Sequence, residues 1–267
     1  MSRAKTIQDF LRSDIIDIEE LLGLALNYSK SSLYANPNHK ISAADLASLD
    51  TLIQKRQSGE PFAYLSSSKG FYHLDFKVTT DTLIPRPETE LLIDIALALF
   101  DPSKTIKMLD LGTGSGIIAI TLADKCKHWQ VSATDQSKSA LEIARHNAQN
   151  NAVNIEYSDG SWFEATPNQV FDLIVSNPPY VEEDDPHLTD LQFEPIEALI
   201  SGSDGLDDIR EIITEAPKHL NSDGYLLLEH GHNQQKEIMR LMRESFTEVR
   251  GFQDNNGVDR ATLGRIK

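Results

Sequence analysis

Apolar residues recur every three or four positions through the first 65 residues, which is the spacing of amphipathic helices. The pattern is clearest at Ile15, Ile18, Leu22 and Ala25, which fall on one helical face. The sequence therefore predicts a helical N-terminal region that ends in the Gly- and Pro-containing stretch 58–61. Its predicted helices cover residues 6–11, 15–26 and 43–57.

The period changes to two at residues 72–79, where Tyr72, Leu74, Phe76 and Val78 alternate with polar residues, and this predicts a strand. Helix-like and strand-like segments then alternate to the end of the chain, as is typical of a parallel sheet between two layers of helices. The predicted strands cover 106–111, 130–134, 155–157, 171–176 and 225–229. The predicted helices cover 88–100, 116–124, 138–150, 206–220 and 233–245. A closing antiparallel hairpin is predicted at 247–250 and 261–266.

Length and composition narrow the class of protein. A chain of 267 residues with 40% hydrophobic residues fits a globular protein of one large or two modest domains, with a boundary expected within 66–85. No apolar run approaches the roughly 20 residues of a membrane-spanning helix, and residues 1–17 lack the apolar core of a secretory signal. We therefore expect a cytoplasmic protein with no membrane partner. The single Cys126 excludes an internal disulfide and a multi-cysteine zinc site.

The charge is strongly acidic and unevenly distributed. Acidic residues outnumber basic ones by 41 to 25, which gives a formal net charge of −16. Residues 1–70 contain eight residues of each sign, so the whole excess lies in 71–267. Because nucleic acids are usually bound through Lys and Arg on their phosphates, this balance disfavours a nucleic-acid partner and suits a basic protein partner.

A glycine-rich loop at 112–116 follows the acid Asp110 at the end of the first predicted strand of the α/β region. Glycines there permit a tight turn and close approach to a ligand, beside the free N–H groups of a helix start. A phosphate-binding loop would need Gly-Lys-Ser/Thr, and a dinucleotide site would need glycine at Ile117. Asp135 follows the next strand, where a carboxylate can accept hydrogen bonds from both ribose hydroxyls. Its alternative role is to cap the helix predicted at 138–150.

The segment 176–180, Ser-Asn-Pro-Pro-Tyr, follows another predicted strand, at the sheet edge where α/β proteins bind ligands. Because proline has no N–H, the segment presents carbonyl oxygens with few competing donors. The side-chain oxygen of Asn177 and the carbonyl of Pro178 can each accept one N–H of a planar amide or amine, and the Tyr180 ring can lie against that plane. The structural alternative is a rigid turn after a strand.

The glycine loop, Asp135 and Asn-Pro-Pro-Tyr together resemble the class I S-adenosylmethionine-dependent methyltransferases. The tetrapeptide also occurs in methyltransferases of adenine N6 and cytosine N4, so it leaves the acceptor open. Further motifs, in one order along nearly the whole chain, resemble the bacterial release factor glutamine methyltransferase family, although Ser67 stands where that family commonly has glycine. These motifs are GEPFAYL at 59–65, LIPRPETE at 83–90, EPIEAL at 194–199, DGL at 204–206 and LEHG at 228–231.

The resemblance implies an α/β fold: a Rossmann-like, seven-stranded class I methyltransferase domain (88–267), preceded by a small helical substrate-recognition domain (1–66) and a linking β-hairpin (67–87). It implies methyl transfer from S-adenosylmethionine, without a metal, to N5 of the glutamine in the Gly-Gly-Gln motif of peptide chain release factors 1 and 2. The implied cofactor-binding residues are Gly112, Thr113, Gly114, Ser115, Gly116, Asp135, Trp162 and Asn177. The implied glutamine-binding residues are Asn177, Pro178, Pro179 and Tyr180, with Asn177, Pro178 and Tyr180 acting in catalysis.

Other functions stay open at this point. The acceptor can be a glutamine of a ribosomal protein, or an amino group of a nucleic-acid base, which the acidic charge disfavours. A non-catalytic binding module with the same fold is disfavoured because both motifs are intact. Trp162 can be an ordinary core aromatic, and His230 and His232 are expected to be structural because no carboxylate cluster accompanies them. The seven acids of 181–197, with no Lys or Arg among them, are expected to border the site entrance and attract a basic surface.

Overall fold

The computed structural model of the protein describes residues 5–267, so the first four residues of the predicted N-terminal domain lie outside the described part. The chain divides into two compact units, one ending at Ser67 and the other covering Ser68–Lys267. The first unit is helical. Its described helices are α1 (Ile7–Leu11), α2 (Ile18–Leu26), α3 (Lys30–Ala35), α4 (Ala43–Gln57) and α5 (Phe62–Ser66).

The predicted helical N-terminal region is confirmed, with local differences. Its core contains Leu21, Leu33 and Leu49, all fully buried. Helix α2 begins later than predicted because Asp17 has a left-handed backbone, with φ of 56°, which interrupts the helical conformation. Helices α3 and α5 were not predicted, since segments of six and five residues are too short to show a helical period.

The second unit opens with a hairpin of β1 (Ser68–Phe71) and β2 (Leu74–Lys77). The single strand predicted over 72–79 is therefore wrong in its first two and its last two residues, because β2 covers only Leu74–Lys77. Tyr72 lies in the turn, with φ of 57°, and is 37% exposed. The alternation of apolar and polar residues therefore runs on through the turn, and the sequence pattern did not reveal it. Ser67 has φ of 54°, which is the left-handed conformation that glycine adopts most readily. The serine therefore keeps the backbone turn that enters the hairpin.

A seven-stranded sheet forms the centre of this unit. Its strands are β3 (Lys107–Leu111), β4 (Gln130–Asp135), β5 (Glu156–Asp159), β6 (Phe171–Ser176), β7 (Leu220–Glu229), β8 (Phe246–Gln253) and β9 (Asp259–Ile266). They are ordered β5-β4-β3-β6-β7-β9-β8. The first five are parallel, and β9 pairs antiparallel with both β7 and β8, so the predicted C-terminal hairpin is confirmed.

Helices cover both faces of this sheet. They are α6 (Glu90–Leu99), α7 (Ile117–Lys125), α8 (Lys138–Asn150), α9 (Asp207–Glu215) and α10 (Gln235–Met242). Met108 packs in one hydrophobic cluster with α6 and α7, while its neighbour Leu109 packs in another with α9 and α10. Successive residues of a strand point to opposite faces, so the predicted sheet between two helical layers is confirmed. Helix α9 ends before the predicted residue 220 because Pro217 falls in the 3₁₀ turn that follows it.

The strand order has a consequence for the site. From β3 the chain crosses first to β4 and later, in the other direction, to β6, so the order reverses at the carboxyl end of β3. Ligands of open α/β sheets bind at such a reversal. Among residues 5–267, no helix is both long and apolar enough to cross a membrane.

Candidate active site

A cavity of about 530 Å³ opens at the carboxyl ends of β3, β4 and β6. Both motifs singled out in the sequence contribute to its wall. Residues 112–115 of the glycine loop line it together with Asp135 and Trp162, and so do Asn177 and Pro179 of the acceptor segment. The volume is in the range of small-molecule binding sites. The structure therefore brings residues more than 60 positions apart in the sequence to one enclosed space.

The glycine loop forms the turn between β3 and α7. The Gly114 N–H donates to Asp135 Oδ2 at 2.8 Å. Gly112 has φ of 69°, and a Cβ atom there would lie 3.2 Å from the Trp162 ring, so glycine lets the ring pack directly on the loop. Gly116 does not line the cavity; with φ of 89° it begins α7, and a Cβ atom there would lie 2.7 Å from Ile120.

Asp135 ends β4 and is half-buried. Besides the Gly114 N–H, it accepts the Ser137 N–H at 2.9 Å through Oδ1. Helix α8 is capped by Ser137, whose hydroxyl accepts the Ala140 N–H at 3.2 Å, so the alternative that Asp135 caps this helix is wrong. Burial raises the pKa of Asp135. A carboxylate that is held at the cavity wall by two backbone groups is well placed to accept hydrogen bonds from a ligand.

Asp110 and Trp162 also lie against the glycine loop. Asp110 is buried and accepts the Thr113 hydroxyl at 2.6 Å and the Ala119 N–H at 3.1 Å through Oδ2. Burial raises the pKa of Asp110 to about 7. Trp162 has φ of 39° and stands two residues after Gly160, whose N–H donates to the Asp135 carbonyl at 3.1 Å. Trp162 lines the cavity and also packs against the core, and its predicted contact with the cofactor stays a prediction.

The acceptor segment directly follows β6. The Ser176 hydroxyl donates to the Leu111 carbonyl at 2.7 Å, which fixes the end of β6 against the end of β3. The Asn177 side chain is half-buried, and its Nδ2 donates to Thr89 Oγ1 at 3.3 Å. With Nδ2 engaged in this way, Oδ1 is the group of Asn177 that can accept a hydrogen bond from a ligand.

The remaining acceptor residues differ in position. Pro179 lines the cavity, whereas Pro178 is buried, and neither Pro178 nor Tyr180 is among the described residues of its wall. The Tyr180 hydroxyl lies 3.4 Å from Glu229 Oε1, and burial raises the pKa of that hydroxyl. The Tyr180 carbonyl accepts from Gln234 Nε2 at 3.0 Å, so the backbone after the two prolines is also fixed.

Sequence reasoning missed Asn147, a fully buried residue of α8. Its Nδ2 donates to the Lys77 carbonyl at 3.0 Å and to the Ser115 carbonyl at 2.8 Å, and its Oδ1 accepts the Lys77 N–H at 2.8 Å. One side chain thus joins strand β2 of the hairpin to the glycine loop. The available signal was a polar residue on the apolar face of α8, three positions after the buried Ala144.

The segment 83–90 was recognised as a motif without a role, and the structure assigns it contacts. Glu194 is buried, accepts the Ile84 N–H at 2.9 Å and forms an ion pair with Arg86. This carboxylate joins the segment to the stretch 194–198, of which Glu197 and two neighbours line the cavity. Glu194 is therefore not a surface acid, which reduces to six the acids of 181–197 that can face a partner.

Of the two histidines noted in the sequence, His232 is exposed and His230 makes two hydrogen bonds. His230 is buried, its Nδ1 donates to the Gly231 carbonyl at 2.9 Å, and its Nε2 accepts from the Thr262 hydroxyl at 2.9 Å. Burial lowers the pKa of His230, which favours the neutral ring, in which Nε2 accepts from Thr262. Within residues 5–267, no three His, Cys, Asp or Glu side chains are grouped so that they could hold a metal ion.

Comparisons with known proteins agree with both units. Residues 7–66 match the family model of the PrmC N-terminal domain, and residues 89–194 match that of the methyltransferase small domain. The chain is 43% identical over 258 residues to the release factor glutamine methyltransferase of Xylella fastidiosa (strain Temecula1), covering 95% of this chain and 94% of that protein. It is 40% identical over 252 residues to the protein of the same name from Coxiella burnetii, covering 94% and 91%.

Solved structures are similar in fold. A methyltransferase from Pyrococcus furiosus matches with a TM-score of 0.57 and 21% identity, covering 80% of this chain and 98% of that chain. A ribosomal protein L11 methylase from Lactobacillus delbrueckii subsp. bulgaricus matches with a TM-score of 0.52 and 23% identity, covering 68% and 81%. At these identities the likeness concerns the fold alone, and it confirms the methyltransferase architecture expected from the sequence.

Proposed function

The chain belongs to the release factor glutamine methyltransferase family, and from this premise we propose that it transfers a methyl group from S-adenosylmethionine to N5 of the glutamine in the Gly-Gly-Gln motif of peptide chain release factors 1 and 2. One observation supports this most strongly: the glycine loop and the Asn-Pro-Pro-Tyr segment contribute to the wall of the same cavity. A methyl donor and its acceptor nitrogen must meet in a single space, and this cavity offers one.

The glycine-loop side of the cavity fits S-adenosylmethionine. Gly114 has open space where a Cβ would lie, so a ligand can approach its backbone closely, and the half-buried Asp135 carboxylate faces the same cavity for a ribose. The Trp162 ring supplies a flat apolar wall for an adenine. When bound, S-adenosylmethionine supplies an electrophilic methyl group. The chain's own part is to hold the nucleoside so that this methyl points toward Asn177.

The acceptor segment offers groups for a glutamine side chain, with Asn177 at the cavity wall and the buried Pro178 next to it in the chain. An amide nitrogen is a weak nucleophile because its lone pair is delocalised into the carbonyl. Accepting its two N–H groups at Asn177 Oδ1 and the Pro178 carbonyl would raise electron density on the nitrogen and fix its direction. Orientation of this kind can contribute about 7–11 kcal/mol to lowering a barrier. We therefore propose catalysis by positioning, with Tyr180 stabilising the segment that carries both acceptors, and with no metal. The methylated nitrogen must then lose one proton, which would leave through water or through Asn177 Oδ1.

We propose that the helical part, residues 1–66, recognises the substrate, that the hairpin 67–87 links it to the catalytic part 88–267, and that the protein acts in the cytoplasm. The acidic residues at and near the cavity indicate the charge expected of the protein substrate. Glu197 is exposed and lines the cavity, and Glu182, Glu183 and Asp184 are exposed nearby in sequence. We propose that these acids border the entrance of the cavity, where they would attract a basic protein surface and repel nucleic acid, so we propose no direct nucleic-acid binding.

Methyl transfer from labelled S-adenosylmethionine tests this function. Purified release factor should gain one methyl group on the glutamine of Gly-Gly-Gln, located by fragment mass spectrometry, and the matched Gln→Ala release factor should gain none. Ribosomal proteins, total RNA and DNA serve as competing acceptors in parallel reactions. Label on a ribosomal protein or on nucleic acid in place of the release factor would refute the proposal.

A further inference from the structure

Arg86 supplies the positive charge of the cavity wall. It lines the cavity together with Leu83 and Pro85 of the same segment, and among residues 5–267 no other Lys, Arg or His does so. The acids that line the same cavity are Asp81, Asp135, Glu197 and Asp208. A ligand that brings a negative group into this cavity therefore finds one cationic side chain to pair with.

The guanidinium of Arg86 is held in place on one side only. Its Nη2 forms an ion pair with Glu194, a buried carboxylate that also accepts the Ile84 N–H at 2.9 Å. A guanidinium carries five N–H donors, and within residues 5–267 the contacts of this group occupy Nη2 alone. The Arg86 side chain is 34% exposed, so its remaining N–H groups are available to a ligand in the cavity.

Arg86 lies close to the acceptor residue. Its carbonyl accepts the Thr89 N–H at 3.2 Å, so a single tight turn separates the two residues. Thr89 Oγ1 in turn accepts from Asn177 Nδ2 at 3.3 Å. Asp135, the residue proposed for the ribose, faces the same cavity from the end of β4. The cavity thus contains a carboxylate for the ribose, the acceptor at Asn177, and a cation next to that acceptor.

The charges of S-adenosylmethionine match this distribution. Its methionine part ends in a carboxylate and an ammonium, and a short carbon chain joins both to the sulfonium. Because the sulfonium methyl has to face Asn177, the carboxylate must lie within the reach of that short chain. Among the four acids of the cavity, a carboxylate without a positive partner would be repelled, whereas the sulfonium and the ammonium are attracted. A guanidinium suits the carboxylate because its N–H groups can pair with both oxygens.

We propose that Arg86, with its guanidinium held by Glu194, binds the carboxylate of the methionine part of S-adenosylmethionine. This inference rests on the proposed function for the identity of the cofactor. It gives the segment 83–90 a ligand contact, in addition to its contacts with the stretch 194–198. The same contact is available to S-adenosylhomocysteine, which keeps the carboxylate after the methyl group has left.

Two ligands that differ only in the carboxylate test the proposal without turnover. They are S-adenosylhomocysteine and its decarboxylated form, S-adenosyl-3-thiopropylamine, and calorimetry gives a Kd for each. We expect Arg86→Gln to weaken binding of the first by about 10- to 100-fold, as for loss of a charge-assisted hydrogen bond. Binding of the second should change by no more than about twofold. Arg86→Lys keeps the charge without the forked geometry, so it should weaken binding of the first ligand by a smaller factor.

Arg210→Gln is the matched control. Arg210 forms ion pairs with Asp204 and Asp207, as Arg86 does with Glu194, but it does not line the cavity. Its substitution should therefore leave both Kd values unchanged. Thermal unfolding shows whether each variant is folded, and if Arg86→Gln does not fold, the ratio of the two Kd values in Arg86→Lys, compared with wild type, decides the matter.

Two results would overturn the inference. An equal loss of affinity for both ligands in Arg86→Gln would mean that the substitution disturbs the cavity as a whole. Unchanged affinity for S-adenosylhomocysteine, with a higher KM for a Gly-Gly-Gln peptide, would mean that the guanidinium contacts the acceptor peptide instead.

The proposed function fails by different results. If wild type and variants show the expected pattern of Kd values but wild type methylates no release factor, the acceptor is wrong and the role of Arg86 stands. If wild type binds neither ligand, the cofactor itself is wrong, and the inference is refuted with it.

Discussion

The carboxylate of Asp135 offers the sharpest test of the cofactor side of the site. In Asp135→Ala, two described bonds are lost: those from the Gly114 N–H at 2.8 Å and the Ser137 N–H at 2.9 Å. The bonds proposed to the ribose hydroxyls are lost with them. Because the ribose is common to S-adenosylmethionine and S-adenosylhomocysteine, we expect both ligands to bind more weakly, and by the same factor.

The magnitude follows from the kind of bond. A hydrogen bond to a charged group contributes about 1.5–3 kcal/mol, which corresponds to a Kd about 10- to 150-fold weaker if one net bond is lost. The loop contributes in the same direction, since Gly114 loses the partner that holds its N–H in place. We therefore expect the measured loss to fall in the upper part of this range.

Titration calorimetry with S-adenosylhomocysteine measures the loss, and Ser137→Ala is the matched control. Ser137 caps α8 at the same turn, so its removal should lower the free energy of unfolding by about 1 kcal/mol. Ser137 also lines the cavity, but its hydroxyl is engaged in capping α8 and no ribose contact is proposed for it. The Kd of this variant should therefore stay within about twofold of wild type, a difference well under 1 kcal/mol. The two variants thus separate ligand contact from helix stability.

Two results would refute the reasoning. Wild-type affinity in Asp135→Ala would mean that the carboxylate serves only the loop and the turn. An equal loss of affinity in Ser137→Ala would mean that the start of α8, and not the Asp135 carboxylate, determines cofactor binding.

Four other changes have defined outcomes. Asn177→Ala should keep S-adenosylhomocysteine affinity in calorimetry yet lose most methyl transfer, and a kcat within a few-fold of wild type would contradict the acceptor role. Asn147→Leu leaves backbone groups of the hairpin and glycine loop unpaired, so it should lower the free energy of unfolding by about 1–3 kcal/mol and weaken cofactor binding. The control Gln149→Leu, on the exposed side of the same helix, should change neither quantity. Replacing the four acids at 182–185 with Ser or Asn should lower kcat/KM on intact release factor and make it less dependent on salt, without changing turnover of a short Gly-Gly-Gln peptide. Equal kcat/KM for wild type and variant at low salt would contradict electrostatic attraction of the release factor by these acids. The pKa of Glu229 is raised from 4.5 to about 7, so the native state binds this proton more tightly than the unfolded chain does. The free energy of unfolding should therefore fall as pH rises from about 4.5 through 7. When unfolding is followed across that range, the fall should be less steep in Glu229→Gln.

The sheet and its helices were predictable because their apolar pattern repeats over whole elements. Errors arose where one residue decides the backbone, as at Tyr72 in the hairpin turn and at Pro217 after α9. The motifs also indicated which loops form the site, since glycines and prolines restrict or free the backbone locally. The roles of the individual site residues stay predictions until substitutions test them.

The sequence did not reveal the residues that hold those motifs in place. Thr89 meets Asn177 across 88 positions, and Asn147 meets Lys77 across 70. Glu229 stands in a motif, yet nothing in Leu-Glu-His-Gly indicates that its carboxyl reaches Tyr180. Such contacts depend on how strands and helices are arranged in space, and each residue has an ordinary local explanation when it is considered in sequence alone.

The acidic side chains in and around the site differ in how deeply they are buried, and this difference indicates different roles. Asp135 is half-buried at the cavity wall, where it can exchange water for a ligand, whereas Asp110 and Glu229 are almost fully buried and contact only protein groups. Burial raises the pKa of both to about 7, so ionisation of either group costs stability. If catalysis consisted of proton transfer, such acids would have to reach the reacting nitrogen. Here Asp110 reaches the glycine loop and Glu229 reaches the Tyr180 hydroxyl of the acceptor segment, so both contact the segments that are proposed to hold the reactants, as catalysis by positioning requires.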